Sequence, residues 1–258
     1  MKTLLLEQMT WPEIEEAMEK GMDTVLIFAA SVEQHGPALP EITDTAIGYA
    51  EAVDLAKRLG NTLVAPVIRP GLSRHHMGMP GTITLRPEVF RGILEDYVAA
   101  YVHHGFKKII ITSSHGGNFG ELTKITEDLA AEYPDICIVS GCMLEEVDEL
   151  LVEMDRTEGL FPGTCGGHAC DWETSVMMMI DENYVRKDKL AAGYIGQFTP
   201  EVADRFFNEG VKSISENGVM GDPTGANAER GRRYFEMYQA LQERAMRKNL
   251  EEWRKNNE

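Results

Sequence analysis

Short apolar runs alternate along this chain with longer stretches in which apolar positions return every three or four residues. Residues 25–30, 62–65, 108–112 and 136–140 are rich in Val, Ile, Leu and Phe and carry few polar side chains. They read as strands that are covered on both faces. Between them, residues 45–59, 87–104 and 119–132 show helical periodicity. An earlier helix is capped by Thr10, has Pro12 in its first turn and stops at Gly21. The second half is more helical, with patterns over 144–154, 167–180, 199–208 and a long terminal stretch from 226 to 254. Strands alternating with helices of this length predict βαβ units, hence an α/β fold with a mainly parallel sheet between helices. No repeat, linker or shift in composition divides the chain, so residues 1–258 are expected to form one domain.

Charge narrows the list of partners. The formal net charge is -17 over 258 residues. Phosphate backbones and anionic lipid would be repelled, which excludes nucleic acid and membrane surfaces as expected partners. No apolar run is long enough to span a bilayer, and the N-terminal apolar stretch is short and followed by Glu7, so a cytoplasmic protein is expected. Cys137, Cys142, Cys165 and Cys170 form no CxxC pair and are expected to be reduced. Cys165 and Cys170 flank His168, but their spacing fits no usual zinc pattern.

In an open α/β sheet, ligands bind beyond the carboxyl ends of the strands. The residues with metal-ligand or proton-transfer chemistry fall there. Glu33-Gln34-His35-Gly36-Pro37, with Asp44 beyond, follows the first strand. In an extended segment Glu33 and His35 point to the same side. Imidazole with carboxylates suits zinc, manganese or iron(II). The bland alternative is a charged loop in which Asp44 caps a helix. Gly71-Leu72-Ser73-Arg74-His75-His76 follows the second strand. Adjacent histidines do not readily share one metal, so His76 is read as a substrate contact or a support to the ligands, and His75 as exposed. Ser113-Ser114-His115-Gly116-Gly117-Asn118 follows the third strand, where the glycines permit close approach to the backbone. His168 and Glu173 are five apart, which is not one face of a helix, but a loop start would let both converge on a site. His103 and His104 sit at a predicted helix end and read as surface residues. No GxGxxG or Walker lysine supports a nucleotide site.

Together these segments resemble the creatininase (creatinine amidohydrolase) family. The resemblance rests on Glu33–Pro37 with Asp44-Thr45, on Gly71 and Ser73 through His76 to Pro80-Gly81-Thr82, on Ser114–Asn118, on His168-Ala169 with Glu173-Thr174-Ser175, and on Gly218 to Asp222-Pro223-Thr224. It implies a metal-dependent hydrolase of non-peptide C–N bonds (amide, cyclic amide or formamide) that uses two divalent ions per subunit and metal-activated water on a small-molecule substrate. A homo-oligomer, commonly a hexamer, is implied too. Glu33, His35, Asp44 and His115 match metal ligands, with Asp44 the bridge, and His168 matches the residue that shuttles protons.

One departure bears on the ligand set. Creatininase itself carries a carboxylate at the position of Gly117. The resemblance to family members with His-Gly-Gly-Asn assigns the remaining ligand, or a general base, to Glu173. The substrate-facing set it implies is Ser73, His76, Gly116, Gly117, Asn118 and Trp172. Arg74 and His75 replace a small residue and an acid, which points away from creatinine and towards a substrate with negative charge. A lactone or ester hydrolase with the same centre, and a non-catalytic metal-binding assembly protein, are the alternatives.

Overall fold

The computed structural model describes residues 2–196 and 198–257. Strands β1 (Thr24–Ala29), β2 (Thr62–Val64), β3 (Lys108–Ser113) and β4 (Cys137–Ser140) form a parallel sheet in the order β2-β1-β3-β4. Thr24 pairs with Thr62 on one side and with Lys108 on the other, and Lys108 pairs with Cys137. Helices α1 (Trp11–Glu19), α2 (Thr43–Leu59), α3 (Pro87–His103) and α4 (Phe119–Glu132) accompany the strands. Helices α5 (Leu144–Glu158), α6 (Asp171–Asp181), α7 (Pro200–Glu209) and α8 (Ala228–Asn257) follow. The α/β class and the parallel sheet are as the apolar pattern predicts.

Side-chain alternation along β1 builds a layer on each face. Val25, Ile27 and Ala29 pack with Phe90, Leu94 and Val98 of α3 and with Leu122, Ile125 and Leu129 of α4. Leu26, Phe28 and Ala30 pack with Ala52, Leu55 and Ala56 of α2 and with Met246 of α8. Every residue of β1 is buried, which accounts for its unbroken apolar run. A third apolar cluster joins α5, α6 and α8. There Asp171 accepts from Arg230 Nη1 at 2.8 Å and from the Tyr234 hydroxyl at 2.9 Å, which fixes the start of α6 against α8. No helix among the described residues is long and apolar enough to cross a membrane.

Glu51 stands out in this core. It lies two turns after Asp44 on α2, is 0% exposed, and neither of its oxygens has a hydrogen-bond partner. Burial, then the neighbouring charges of Asp44 and Glu173, hold its carboxyl well above the ordinary 4.5. The unfolded chain releases this proton near pH 4.5 and the folded chain keeps it to higher pH. Glu51 therefore takes stability away as pH rises above about 4.5, at up to about 1.4 kcal/mol per pH unit. Glu51→Gln, which is neutral and isosteric, should remove that slope. Melting both proteins from pH 5 to pH 8 should show a gain for the variant that grows with pH. A gain that stays flat would mean that the carboxylate is ionised and paired.

Candidate functional site

Three loops at the carboxyl edge of the sheet and the first turns of two helices meet in one buried cluster. Glu33 and His35 lie in the loop after β1, and Asp44 in the first turn of α2, where the helix dipole favours an anion. His115 follows β3. His168 lies in the loop before α6, and Glu173 is the third residue of that helix. Glu33 is 0% exposed, and His35, Asp44, His115, Glu173 and His168 are all buried.

His35, His115 and His168 share one arrangement. One ring nitrogen of each meets a backbone carbonyl: His35 Nδ1 with Glu33 O at 3.0 Å, His115 Nε2 with Leu72 O at 3.1 Å and His168 Nε2 with Gln34 O at 2.8 Å. A carbonyl only accepts, so the His35 and His115 nitrogens carry the hydrogen, which aims the other nitrogen of each at the carboxylates. His168 Nε2 also lies 2.8 Å from the Gln34 side-chain amide nitrogen, so Gln34 offers it both an acceptor and a donor. His35 Nε2 lies 3.1 Å from Asp44 Oδ1 and 3.7 Å from Glu173 Oε1. His115 Nδ1 lies 3.2 Å from Glu33 Oε1 and 3.4 Å from Asp44 Oδ2. His168 Nδ1 lies 3.6 Å from Glu33 Oε1. Asp44 thus turns one oxygen to His35 and the other to His115, and Ser31 Oγ donates to Oδ2 at 2.6 Å.

His76 is oriented the other way. Its Nδ1 accepts from the Gln34 amide at 2.8 Å, so Nε2 carries the hydrogen and points at Glu33 Oε1, 3.4 Å away. It is placed to donate to Glu33 rather than to bind an ion.

The electrostatics call for positive charge. Burial alone would lower the pKa of His35, but Asp44 and then Glu173 outweigh it and hold the imidazole well above its usual value. Burial likewise opposes charging of His115, yet Glu33 and then Asp44 push it up to about 9. Asp44 is held low despite burial, chiefly by His35. Burial raises Glu173, against the pull of His35. A divalent cation between these carboxylates and imidazoles would supply the positive charge that the site favours. Both oxygens of Glu33 lack a hydrogen bond, and its donors lie within 4.8 Å of those of His35 and Asp44. A buried carboxylate left in that state fits a metal ligand. The donor set of imidazoles and carboxylates suits zinc, manganese or iron(II).

Gly117 has no room for a side chain. A Cβ there would lie 2.5 Å from His115 Nε2 and 2.6 Å from Leu72 O, the two atoms that orient the ring. The second half of the cluster instead receives the carboxylate of Glu173, whose other oxygen is held by the Ala169 backbone N–H. Ala169 adopts φ 51°, an uncommon value for a residue with a Cβ, and this turn brings His168 and Glu173 together. Gly117→Ala should displace His115 and weaken divalent-ion binding about 10- to 100-fold, the usual cost of disturbing a ligand's support. Competition with a chelating dye measures this, and unchanged affinity would contradict it.

The other expected site residues divide. His76, Gly116 and Gly117 line the cavity above the cluster. Ser73 is buried behind it, with Oγ 3.5 Å from His115 Nε2. Asn118 is fully buried and structural in its contacts, donating to Ala30 O at 3.1 Å and accepting from Leu72 N at 2.9 Å. Trp172 does not reach the cavity: it stacks on Tyr238 with ring centres 5.2 Å apart, in the α5–α6–α8 core. His75, expected at the surface, is buried against Phe206 at 4.6 Å and parallel to His115 at 5.8 Å. The tight 3-10 turn Arg74–His76 turns His75 and His76 inward and leaves Arg74 exposed. Cys165 and Cys170 are buried free thiols in the core and form no metal group with His168.

Gln34 is the residue that sequence reasoning missed. Strand alternation would turn it away from Glu33 and His35. Here the segment is no strand, and the Gln34 side-chain amide enters the site, 2.8 Å from both His76 Nδ1 and His168 Nε2.

The family model described as creatinine amidohydrolase matches residues 7–243. The chain is 33% identical over 224 residues to the mycofactocin precursor peptide peptidase of Mycobacterium tuberculosis, covering 82% of this chain and 80% of that protein. It is 25% identical over 210 residues to creatinine amidohydrolase of Pseudomonas putida, covering 77% and 80%. The solved structure described as Creatininase Mn shares the fold, with TM-score 0.79 and 21% identity over 96% of this chain and 99% of that one. These matches, with the cluster at the carboxyl edge of the sheet, make the chain a member of the creatininase family of hydrolases acting on C–N bonds.

Proposed function

We propose that this protein is an amidohydrolase that holds two divalent ions, one through Glu33, Asp44 and His115 and the other through His35, Asp44 and Glu173. The observation that carries this reading is Asp44, whose two oxygens face His35 and His115 separately. When bound, such ions supply Lewis-acid polarisation of a carbonyl and a more acidic water.

The chain's own residues then position groups and move protons. His168 is kept neutral by burial first and by His35 second. Its Nε2 faces Gln34, and Nδ1 faces Glu33 at 3.6 Å, so Nδ1 is the atom placed to take a proton from the attacking water and return it to the leaving nitrogen. His76 presents its Nε2–H to Glu33 Oε1 from 3.4 Å, which keeps an N–H edge beside that carboxylate. Gly116 and Gly117 leave the cavity wall bare where a substrate must come close.

The bond is an amide C–N bond of a small molecule. The relative described as a precursor peptide peptidase extends the range to be tested from non-peptide to peptide amides. Formamides, cyclic amides, short peptides and lactones, each with zinc, manganese or iron(II) and after chelation, form the test. Amide cleavage that disappears with the ion supports the proposal; cleavage of lactones alone would move it to ester hydrolysis. A hexameric homo-oligomer, carried over from the family likeness, is part of the same proposal, and light scattering tests it.

A further inference from the structure

The cavity above the cluster opens between α5 and α7. Leu144 and Asp148 come from α5, Phe206 and Phe207 from α7, Phe198 from the segment before it, and Met220 from the loop before α8. Phe206 is buried against the rings of His75 and His76, at 4.6 and 5.6 Å. Phe198 and Phe207 pack on Phe206 at 5.6 and 5.0 Å, yet remain 44% and 48% exposed. Two half-exposed aromatic rings at the mouth of a buried polar centre form a ready apolar contact surface. The cavity has room for about 140 Å³. An apolar cavity of about 150 Å³ takes up benzene, so one ring or a compact apolar group fills this space and anything larger runs out past Phe198 and Phe207.

Outside the histidines and carboxylates of the centre, the charged lining of the cavity is acidic. Its lining includes Glu33, Asp44, Glu173 and Asp148, and no lysine or arginine. The first three face the histidines of the centre. Asp148 is left at the entrance, exposed on α5 one turn after Glu145, where a cation is favoured. Arg74, which the sequence reading counted towards an anionic substrate, is exposed and outside this lining.

We propose that the entrance selects a substrate with a ring or compact apolar group next to the scissile amide and a cationic group beyond it, the apolar part against Phe198 and Phe207 and the cation against Asp148. This selectivity rests on the amidohydrolase reading. It runs opposite to the negatively charged substrate that Arg74 and His75 suggest in the sequence.

Three benzamides of matched shape test it: 4-(aminomethyl)benzamide, 4-(hydroxymethyl)benzamide and 4-carbamoylbenzenesulfonate. Their binding to the metal-loaded protein is measured by calorimetry at low salt, and their hydrolysis separately. The cation should bind up to about 5-fold more tightly than the neutral compound, the scale of one exposed ion pair, and the anion most weakly. Asp148→Asn should abolish that order and Asp148→Lys should reverse it. Phe207→Ala should weaken all three alike. No charge order in the parent, an order that survives in Asp148→Asn, or no binding of any of the three would overturn the proposal. The correct binding order with no ion-dependent cleavage of these or of the formamides, cyclic amides and short peptides would keep the selectivity and refute the amidohydrolase reading. Ion-dependent amide cleavage without the order would do the reverse.

Discussion

Asp44→Asn should cost this protein both its metal content and its turnover. Among the described residues, Asp44 is the one whose two oxygens reach both halves of the cluster, at 3.1 Å from His35 and 3.4 Å from His115. An amide in its place offers a single neutral oxygen and cannot bridge. Asparagine still accepts the Ser31 hydroxyl, which Asp44 binds at 2.6 Å, so the loop after β1 keeps its anchor. Alanine would empty the centre too, but it strands that buried donor at a cost of about 1–3 kcal/mol. Loss of Lewis-acid catalysis is worth several kcal/mol, so amide turnover should fall by about a factor of 1,000 or more. Metal analysis and initial rates on the same preparation check both. A variant that keeps about two ions per chain and substantial activity would remove Asp44 from the bridge.

His168→Ala is expected to behave in the opposite way. It should keep its ions and lose about 100- to 10,000-fold in turnover, the range for a positioned general acid or base. The double readout matters because His168 lies among the donors: it groups with Glu33 and His76, and with His35 and Glu173, within 4.8 Å. If His168 were a ligand, metal would leave with the imidazole. If it moves protons, metal stays and only the rate falls. Its Nε2 is held by Gln34 O, so Gln34 sets which ring atom faces the centre without binding an ion itself.

The sheet was legible because its strands are covered on both faces and so are apolar throughout. Residues 119–132, read as a helix from their periodicity, are helix α4. Helix α6 begins at Asp171 rather than at 167, because Gly167 and Ala169 both take positive φ and His168 bridges to Met220. That bridge joins residues 52 positions apart in sequence, which no local pattern reports. The convergence of His168 and Glu173, five apart on no single helical face, depends on this non-helical start. Trp172 followed its neighbours into the expected substrate set, but the one-residue step from Glu173 on α6 rotates it into the core beside Tyr238. The entrance was not legible. Phe206 and Phe207 come from a helix whose amphipathic pattern says that one face is apolar and nothing about what it covers.

In the proposed two-ion centre, Glu173 supplies the carboxylate that Gly117 cannot. The most direct measurement is metal content per chain by plasma mass spectrometry, for the parent protein and Glu173→Gln, both purified without chelator. About two divalent ions are expected in the parent and about one in the variant, with the ion at Glu33, Asp44 and His115 retained. One ion in the parent, or two in Glu173→Gln, would contradict that centre.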